Sequence, residues 1–389
     1  MTTYDVIIVG ARCAGSATAM LLARQGHRVL LVDRSRFPAD TVSTHLIHSP
    51  GVAALHRWGL RDRLVATGCP PITRYSFDFG PFTLCGTPPT SNGAAAAYCP
   101  RRTVLDTLLI EAAAQAGVHV REGFTVHDLI VEDDRVVGVR GGDTAAPVTE
   151  RATVVVGADG AHSRVAEAVG APAYRTAPQA SVAYYAYWSG FDTDAAQWMI
   201  KPGNGFAAFP THDDLTLLLV AWPHAVRTRV KHDLDCNYLR ALKEIHGDRL
   251  DGARRETRLV GSGVANHFRR PFGPGWALVG DAGYLLDPVT AQGMTDAFLD
   301  AELCAGAIHA ALTSARPYDE AMTHYQQQRD TRVFPMYEFT AALASLQPPP
   351  PQLGRLLAGM AGDQQAMDKF GGVFAGTVSP AVVLGPPPP

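Results

Sequence analysis

Hydrophobic and polar positions in the first thirty residues follow two different periodicities. Residues 4–9 and 27–32 are short apolar runs rich in β-branched side chains, which is typical of buried parallel strands. Between them, residues 16–25 place alanine, leucine and methionine at helical spacing, and Gly26 is suited to end that helix. The pattern therefore predicts a strand–helix–strand unit at the start of the chain.

The same periodicities predict further elements along the chain. They include an amphipathic helix over 101–117 and a hairpin around Asp133 and Asp134. The remaining predicted elements are helices over 50–58, 234–246, 295–311 and 318–340, strands over 118–120, 153–156 and 276–279, and a helical stretch after prolines 348–351. The helix over 318–340 is expected to bend or break before Pro335, and the four terminal prolines to be extended.

Residues 181–222 show a third pattern, in which aromatic side chains punctuate strand-like runs separated by turns. The pattern predicts an antiparallel sheet. Its aromatic stripe is either ordinary core or the wall of an apolar pocket. The aromatic residues concerned are Tyr184, Tyr185, Tyr187, Trp188, Trp198, Phe206, Phe209 and Trp222.

The turn of the first unit, Gly10-Ala11-Arg12-Cys13-Ala14-Gly15, is the first candidate for chemistry. It directs backbone N–H groups and the positive end of a helix to one point, which suits a pyrophosphate. Asp33 ends the second strand 23 residues after Gly10 and suits a ribose diol. Because Arg12 replaces the middle glycine of G-x-G-x-x-G, the unit is either a dinucleotide site whose arginine turns outward or an ordinary βα turn.

Composition narrows the class of protein. A formal net charge of −3 over 389 residues does not favour nucleic acid or an anionic membrane as the main partner. The longest apolar run, 215–222, is too short to span a bilayer, and the first strand begins almost at once, so no signal peptide is expected. Six cysteines lack C-x-x-C spacing, which indicates reduced thiols in a cytoplasmic protein and no metal site.

Two later segments change the interpretation of the first turn. They are Val156-Gly157-Ala158-Asp159-Gly160-Ala161-His162-Ser163-Arg164 and Ala277-Leu278-Val279-Gly280-Asp281-Ala282, the latter continuing through Asp287-Pro288 and Gln292-Gly293-Met294. With the first unit, in this order and spacing, they resemble the FAD-dependent aromatic hydroxylase superfamily of p-hydroxybenzoate hydroxylase-like flavoprotein monooxygenases. That superfamily also contains flavin halogenases and geranylgeranyl reductases.

The resemblance implies an α/β (mixed α+β) fold. A discontinuous Rossmann-like FAD-binding domain would comprise residues 1–70, 98–176 and 271–315. An antiparallel-sheet substrate domain, residues 71–97 and 177–270, would be inserted into it. Residues 316–389 would form a C-terminal helical segment with a proline-rich tail.

The resemblance also implies roles for single residues. The FAD contacts it implies are Gly10, Arg12, Ala14 and Gly15 at the pyrophosphate, Asp33 with Arg34 at the adenosine ribose, Val126 at the adenine, Arg102, Asp159, Arg164, Gly280 and Asp281 along the cofactor, and Gly293 with Met294 at the isoalloxazine. Arg102 begins the run R-x-x-L-D-x-x-L, and Asp159 and Arg164 are linked in the family to both FAD and NAD(P)H. Pro288 would lie at the border of flavin and substrate.

The chain departs from the family pattern at a few positions. Gly283-Tyr284 replaces a frequent histidine in the G-D motif, Ala291 replaces a usual glycine, and the W-x-W-x-I-P motif of typical halogenases is absent from the sequence. These departures leave the substrate class open. His45, in a loop that the family places near the flavin ring, is either a proton carrier or substrate contact or a loop histidine satisfied by the backbone.

The activity implied is that of a monooxygenase. NAD(P)H would reduce FAD, O₂ would add to form a flavin hydroperoxide, and one oxygen atom would pass to an apolar, aromatic or polycyclic small molecule. A separate flavin reductase is an alternative source of electrons. Two other functions remain open: a flavin-dependent reductase of isoprenoid-type double bonds, and a non-catalytic flavin-binding protein.

Overall fold

Continuous and alternating apolar runs form the strands of four sheets in the computed structural model, which describes residues 3–143 and 146–385. In chain order, the strands are β1 (Thr3–Val9), β2 (Val29–Asp33), β3 (Pro71–Ile72), β4 (Arg74–Asp78), β5 (Thr83–Gly86), β6 (Ala97–Tyr98), β7 (His119–Glu122), β8 (Val126–Glu132), β9 (Arg135–Asp143), β10 (Ala146–Gly157), β11 (Ala173–Ala177), β12 (Ser181–Ser189), β13 (Ala195–Lys201), β14 (Asn204–Pro210), β15 (Thr216–Pro223), β16 (Arg254–Arg255), β17 (Val260–Ser262), β18 (Asn266–Arg269), β19 (Phe272–Gly273), β20 (Trp276–Leu278) and β21 (Tyr284–Leu285).

Helices connect and cover these strands. In chain order they are α1 (Cys13–Arg24), α2 (Ser49–Arg57), α3 (Arg61–Ala66), α4 (Arg102–Gln115), α5 (Arg164–Ala168), α6 (Arg227–His232), α7 (Leu234–His246), α8 (Gly293–Leu312), α9 (Tyr318–Leu343), α10 (Pro351–Met360), α11 (Gln364–Ala375) and α12 (Pro380–Leu384). Short 3₁₀ helices lie at His224–Val226, Gly247–Leu250, Gly280–Ala282 and Pro288–Thr290.

The first sheet is mainly parallel, with strand order β19-β20-β10-β1-β2-β7. Its centre is β1, where Ile7 pairs with Leu30 of β2 on one side and Val155 of β10 on the other. Helices α1, α4 and α8 cover one face of this sheet. The predicted strand–helix–strand unit and the α/β fold class are thus confirmed, because β-branched runs buried on both faces favour parallel pairing.

The hairpin of β8 and β9 extends the same sheet, since β9 pairs with β10 in antiparallel fashion. Asp133 and Asp134 form its turn, both with positive φ (47° and 59°), a conformation that aspartate tolerates better than most residues. The predicted hairpin is confirmed. Its inner side chains cover the face of the sheet opposite α1.

The second large sheet is almost entirely antiparallel, with order β16-β12-β15-β14-β13-β4-β5 and a parallel pairing between β13 and β4. Successive side chains of a strand point to opposite faces, so its aromatic residues divide into two sets. Tyr184 and Trp188 face α6 and α7, whereas Tyr185, Tyr187 and Trp198 face the other way. The predicted antiparallel sheet is present, but its aromatic residues line both faces rather than one.

The C-terminal helices cover the second of these faces. Phe374 of α11 packs against Phe77 and Trp198, with ring centroids 4.4 and 5.2 Å apart. Asp368 of α11 accepts a hydrogen bond from the backbone N–H of Thr87 (2.7 Å), beside edge strand β5. The C-terminal segment therefore closes the sheet surface that would otherwise be open to solvent.

Of the bend or break expected before Pro335, the break is wrong, because α9 continues from Tyr318 to Leu343 with Pro335 inside it; the bend stays a prediction. A proline removes one helical hydrogen bond, but packing holds the helix on both sides of this site. Arg332 forms ion pairs with Asp296 and Asp300 of α8, and the ring of Tyr337 contacts Phe268.

The fold leaves two further expectations, the domain boundaries and the terminal prolines, untested. The boundaries of the FAD-binding domain, substrate domain and C-terminal segment stay predictions. The terminal prolines lie outside the described residues. Among the helices of residues 3–143 and 146–385, none is both long and apolar enough to cross a bilayer.

His48 joins three parts of the fold. It precedes α2, and its backbone N–H donates to Thr295 Oγ1 of α8 (2.9 Å). Its ring contacts the backbone carbonyl of Thr290 through Nε2 (3.1 Å) and the hydroxyl of Tyr75 on β4 through Nδ1 (2.6 Å). A carbonyl can only accept, so Nε2 carries the proton and Nδ1 accepts from Tyr75. The junction thus requires a neutral imidazole.

We predict that His48→Gln makes stability less dependent on pH. Burial lowers the pKa of His48 to about 4, below the unfolded value of about 6.5. The unfolded chain therefore binds the extra proton first, and stability falls as the pH drops from about 6.5 to about 4. The free energy of unfolding, measured by urea denaturation, should change with pH across this window with a slope about 1.4 kcal/mol per pH unit shallower in the variant than in the wild type. His56→Gln, on the exposed face of α2, is the matched control. Parallel curves for His48→Gln and the wild type would contradict the prediction.

Candidate functional site

The three sequence motifs meet where β1, β10 and β20 end. Gly10 has φ +104°, and a Cβ added there would lie 2.4 Å from the carbonyl oxygen of Ala158, at the end of β10. A Cβ on Gly15 would lie 1.8 Å from the carbonyl oxygen of Gly10. Gly280, after β20, packs against the side chain of Ala14. Only glycine permits these approaches, so the turn is built for close packing around one point.

Arg12 occupies the place of the missing glycine without backbone strain. Its φ and ψ are −95° and −160°, an extended conformation open to any residue. Its guanidinium turns outward, donates to Asp106 Oδ2 (2.6 Å) and lies 5.4 Å from the ring centroid of Phe37. It provides no side-chain cap to α1. The first amides of that helix are therefore left without a side-chain acceptor.

Asp106 is the site residue that sequence reasoning missed. It is fully buried and accepts hydrogen bonds from Arg12 and, at both oxygens, from Arg102. The signal was present as the aspartate of R-x-x-L-D, four residues after Arg102 and on the same helix face. Its contact with Arg12 spans 94 residues of sequence. One carboxylate therefore orients two guanidinium groups.

Cys13 lies beside the hydrogen bonds of Asp106, and its thiol is expected to be unreactive. Its Sγ is 3.7 Å from Asp106 Oδ1, and burial raises its pKa to about 12. A thiol held protonated is a poor nucleophile, so Cys13 acts here as a small packed residue. Like the other five cysteines, it is a free thiol.

Arg102 also acts on Asp281, the acid of the G-D motif. Solvent reaches the Asp281 side chain, although protein atoms surround the cleft that it faces. This partial desolvation raises the pKa of Asp281 to about 6, while Arg102 opposes the rise and Asp296 adds to it. Arg102 is 7% exposed, and its Nη1 group takes no part in the bonds to Asp106. The two side chains give the cleft one cationic donor and one carboxylate.

The N-terminus of α8 opens into the same region. Gln292 caps the helix without a side-chain bond to it, Gly293 is exposed, and a Cβ on Gly293 would meet no atom within 4 Å. Met294 is buried. Ala291 adopts the left-handed conformation with φ 57°, which glycine would adopt without cost. The departure from the usual glycine is therefore tolerated at a small energetic penalty.

The adenosine end of the predicted cofactor site lies at the tip of β2. Asp33 accepts hydrogen bonds from the backbone N–H groups of Ala11 (2.8 Å) and Ser35 (2.7 Å). Its own carbonyl accepts from Phe124, which brings Val126 at the start of β8 near this tip. Arg34 is exposed. The predicted ribose acid thus lies next to the pyrophosphate turn.

Asp159 forms hydrogen bonds within its own segment, and its predicted contact with the cofactor stays a prediction. Its carboxylate accepts from the Ser163 hydroxyl (2.5 Å) and the backbone N–H groups of Arg164 (2.7 Å) and Val165 (3.2 Å), and so caps α5. Arg164 is exposed. Both residues follow β10, and the backbone N of Asp159 lies near Gly10, while these hydrogen bonds serve the start of α5.

A small apolar cavity of about 20 Å³ lies between the G-D segment and the antiparallel sheet. Its lining includes Thr44, Ser181, Trp198, Phe209 and Pro288, and its size suits about one water molecule. Pro288 therefore lies between the α8 terminus and the aromatic sheet. Behind it, Gln292 donates to the carbonyl of Phe374 (2.6 Å), which ties α8 to the C-terminal cover.

His45 lies in the loop beside this cavity and is fully buried with φ 62°. Its Nε2 lies 3.0 Å from the hydroxyl of Tyr187, and its ring makes edge contacts with Tyr185 and Tyr187. Burial, followed by the charge of Arg102, lowers the pKa of His45 to about 3, although Ser43 opposes this shift. The imidazole is neutral. Tyr187 was predicted only as part of the aromatic sheet, and its contact with His45 is new.

The predicted residues therefore form two groups. The first turn, Asp33, Arg102, Asp281 and the α8 terminus surround the carboxyl ends of the parallel strands, which is where open α/β sheets bind ligands. His45 and Pro288 lie where this region meets the antiparallel sheet.

Comparison with known proteins agrees with this arrangement. A family model described as an FAD binding domain matches residues 3–340. Digeranylgeranylglycerophospholipid reductase of Methanocella arvoryzae is 26% identical over 355 residues, which cover 84% of this chain and 82% of that protein.

Solved structures show the same fold over nearly the whole chain. The flavin-dependent brominase Bmp2 has a TM-score of 0.84 at 19% identity, with 97% of this chain and 94% of the brominase covered. PqsL of Pseudomonas aeruginosa, described as a probable FAD-dependent monooxygenase, has a TM-score of 0.75 at 22% identity, with 96% of this chain and 100% of PqsL covered. With the extent of the family match, these findings establish that the chain belongs to the FAD binding domain family of flavin-dependent oxidoreductases.

Proposed function

We propose that this protein is an FAD-dependent monooxygenase that uses NAD(P)H and O₂ to hydroxylate an apolar, aromatic or polycyclic small molecule. The observation that carries the proposal is the apolar cavity at Pro288, where the cofactor region meets the aromatic sheet. Bound FAD, once reduced, supplies the activation of O₂. The chain's part is to bind the cofactor, orient the substrate and exclude water.

The residues of the cleft fit FAD. The uncapped start of α1 and the Arg102 guanidinium provide donors for a pyrophosphate, with Gly10 and Gly15 keeping that surface free of side chains. Asp33 and Asp281 provide acceptors for ribose and ribityl hydroxyls. The open α8 terminus at Gly293 offers N–H groups to the electron-rich edge of a flavin. Gly280, Ala14, Arg12, Arg34, Val126 and Met294 complete the proposed site.

The substrate side is apolar and tightly closed. Pockets for drug-sized ligands measure about 300–1,000 Å³, far more than the cavity of about 20 Å³ found here. Substrate binding therefore requires the surrounding side chains or the C-terminal cover to move. Once the substrate is bound, the same cover excludes water, which an oxygenating flavin enzyme requires to avoid wasting reduced cofactor.

Two sources of electrons are compatible with the proposal. NAD(P)H reduces the bound flavin directly, with Asp159 and Arg164 near its entry, or a separate flavin reductase delivers reduced FAD. The structural similarity to a flavin-dependent brominase supports the second route as well as the first. Mixing the purified holoprotein anaerobically with NADH or NADPH distinguishes the routes, because only direct reduction bleaches the flavin.

A second candidate is a flavin-dependent reductase of isoprenoid-type double bonds. The sequence similarity to a digeranylgeranylglycerophospholipid reductase over most of both chains favours it. The apolar lining of the same cavity would suit a polyprenyl chain once the surrounding side chains move apart. The two candidates differ in the fate of oxygen, since only the monooxygenase adds an oxygen atom to its product.

Photochemically reduced holoprotein distinguishes the two candidates without a known substrate. We predict that mixing with oxygenated buffer produces a transient absorbance, distinct from reduced and oxidised flavin, before the oxidised spectrum returns. An anaerobic mixture with geranylgeraniol should leave the flavin reduced. Direct reoxidation by O₂ together with anaerobic oxidation by geranylgeraniol would overturn the proposal in favour of the reductase. Free FAD, reduced in the same way, is the control for the protein's contribution.

We predict that Arg102→Met raises the FAD dissociation constant by about tenfold or more, equivalent to about 1.4 kcal/mol. The variant removes the cationic donor and leaves Asp106 without one of its two guanidinium partners. Titration of the deflavinated protein by quenching of FAD fluorescence measures the effect. Arg63→Met, which breaks a partly exposed ion pair with Glu111, is the matched control. Unchanged affinity in Arg102→Met would remove Arg102 from the proposed site.

A further inference from the structure

Both candidate reactions consume one proton. Hydroxylation converts RH, O₂, NAD(P)H and H⁺ to ROH, water and NAD(P)⁺. Double-bond reduction converts an alkene, NAD(P)H and H⁺ to the saturated product and NAD(P)⁺. In either case the proton must reach a region from which water is excluded. The chain therefore needs a proton carrier at the border of the cofactor cleft and the apolar cavity.

His45 and Tyr187 form a hydrogen-bonded pair at that border. Nε2 of His45 lies 3.0 Å from the Tyr187 hydroxyl, and Thr44, the preceding residue, lines the cavity beside Pro288. Arg102 acts electrostatically on both His45 and Asp281. The imidazole thus lies between the cofactor cleft and the sheet that bears Tyr187.

The two ends of this pair differ in their surroundings. Nδ1 of His45 is buried and has no hydrogen-bond partner among the described residues. Tyr187 has the Arg101 guanidinium carbon 4.7 Å from its ring centroid, and the Arg101 side chain is 26% exposed. Among the described residues, the pair therefore has one unbonded nitrogen inside the protein and, at the ring of the buried Tyr187, a neighbour that reaches solvent.

The backbone of His45 adds an independent indication. Its φ of 62° is a conformation that non-glycine residues adopt at an energetic cost, and such strain is concentrated at functional sites. A purely structural loop would be satisfied by glycine at this position. The imidazole of His45 is fully buried, and its Nδ1 has no hydrogen-bond partner among the described residues. Such a buried polar group calls for an explanation, and a chemical role would provide one.

We propose that Tyr187 and His45 form a proton relay that delivers the consumed proton to the reacting groups. The relay rests on the proposed function only because that reaction consumes a proton, and the reductase reaction would consume one as well. Tyr187 donates its hydroxyl proton to Nε2, the proton on Nδ1 leaves toward the site, and solvent near Arg101 returns a proton to the Tyr187 oxygen. One proton enters and one leaves, so the neutral pair carries no lasting charge through the low-dielectric interior.

The first test observes the His45 ring directly and does not depend on turnover. In protein with ¹⁵N-labelled histidine, the two ring nitrogens of His45, assigned by their loss in His45→Gly, should show one neutral tautomer from pH 5 to 8. Tyr187→Phe should abolish this preference, and Tyr184→Phe should not. Tyr184 is the matched control, because it lies on the same strand and its ring faces the other side of the sheet. An unchanged tautomer in Tyr187→Phe would overturn the relay.

The second test follows the proton. Reoxidation of photoreduced holoprotein by O₂ is monitored in weak buffer with a pH-indicator dye, while flavin absorbance is recorded in parallel. We expect His45→Gly and Tyr187→Phe to slow proton uptake by about a hundredfold and about tenfold, as expected for loss of general acid–base groups. Imidazole added to His45→Gly should restore the rate. Glycine relieves the strain at φ 62°, so this variant is expected to fold.

The outcomes separate the relay from the proposed function. Slowed proton uptake with the transient flavin absorbance still present supports the relay within a monooxygenase. Slowed uptake without that absorbance supports the relay and removes the monooxygenase. Wild-type uptake in Tyr187→Phe, a variant that lacks only one oxygen atom, overturns the relay whether or not His45→Gly folds.

Discussion

The proposed cofactor region depends on one buried carboxylate. Asp106 lies between Arg12 and Arg102, and two guanidinium groups around one acid leave a net positive charge beside the positive end of α1. Buried charges are stable only when paired and hydrogen-bonded, so the arrangement is rigid before any ligand arrives. A dianionic pyrophosphate complements both the net charge and the helix terminus. The same pairing explains why an arginine can replace a glycine of the fingerprint: its side chain has a partner outside the turn.

Patterns among neighbouring residues predicted the elements that are formed by neighbouring residues. The first strand–helix–strand unit, the hairpin at Asp133 and Asp134 and the start of α4 follow from periodicity and turn chemistry. The contact between Arg12 and Asp106 does not, because it joins residues 94 positions apart. The aromatic pattern placed Tyr184, Tyr185, Tyr187 and Trp188 in one stripe, whereas alternation along β12 divides them between the two faces of the sheet. Pro335 predicted a break, and tertiary contacts of Arg332 and Tyr337 overrode it.

The C-terminal segment connects the two halves of the proposed site. Phe374 packs against Trp198 on the sheet, and its carbonyl accepts a hydrogen bond from Gln292 at the start of α8. Any displacement of α11 that admits a substrate must break or lengthen this bond. Because Gln292 directly precedes the exposed N–H groups proposed to meet the flavin, substrate entry and flavin position are mechanically linked through one side chain.

Two left-handed non-glycine residues, His45 and Ala291, lie within two positions in the sequence of Thr44 and Val289, which line the apolar cavity. Each tolerates strain that glycine would avoid, but for different reasons. Ala291 contributes only a methyl group to the core, so its cost is a small penalty absorbed by packing. His45 contributes a ring whose Nε2 contacts the Tyr187 hydroxyl and whose Nδ1 has no hydrogen-bond partner within residues 3–143 and 146–385. Packing alone would favour a smaller apolar residue there. The imidazole is therefore better explained by chemistry at the border than by stability, whichever of the two reactions that border serves.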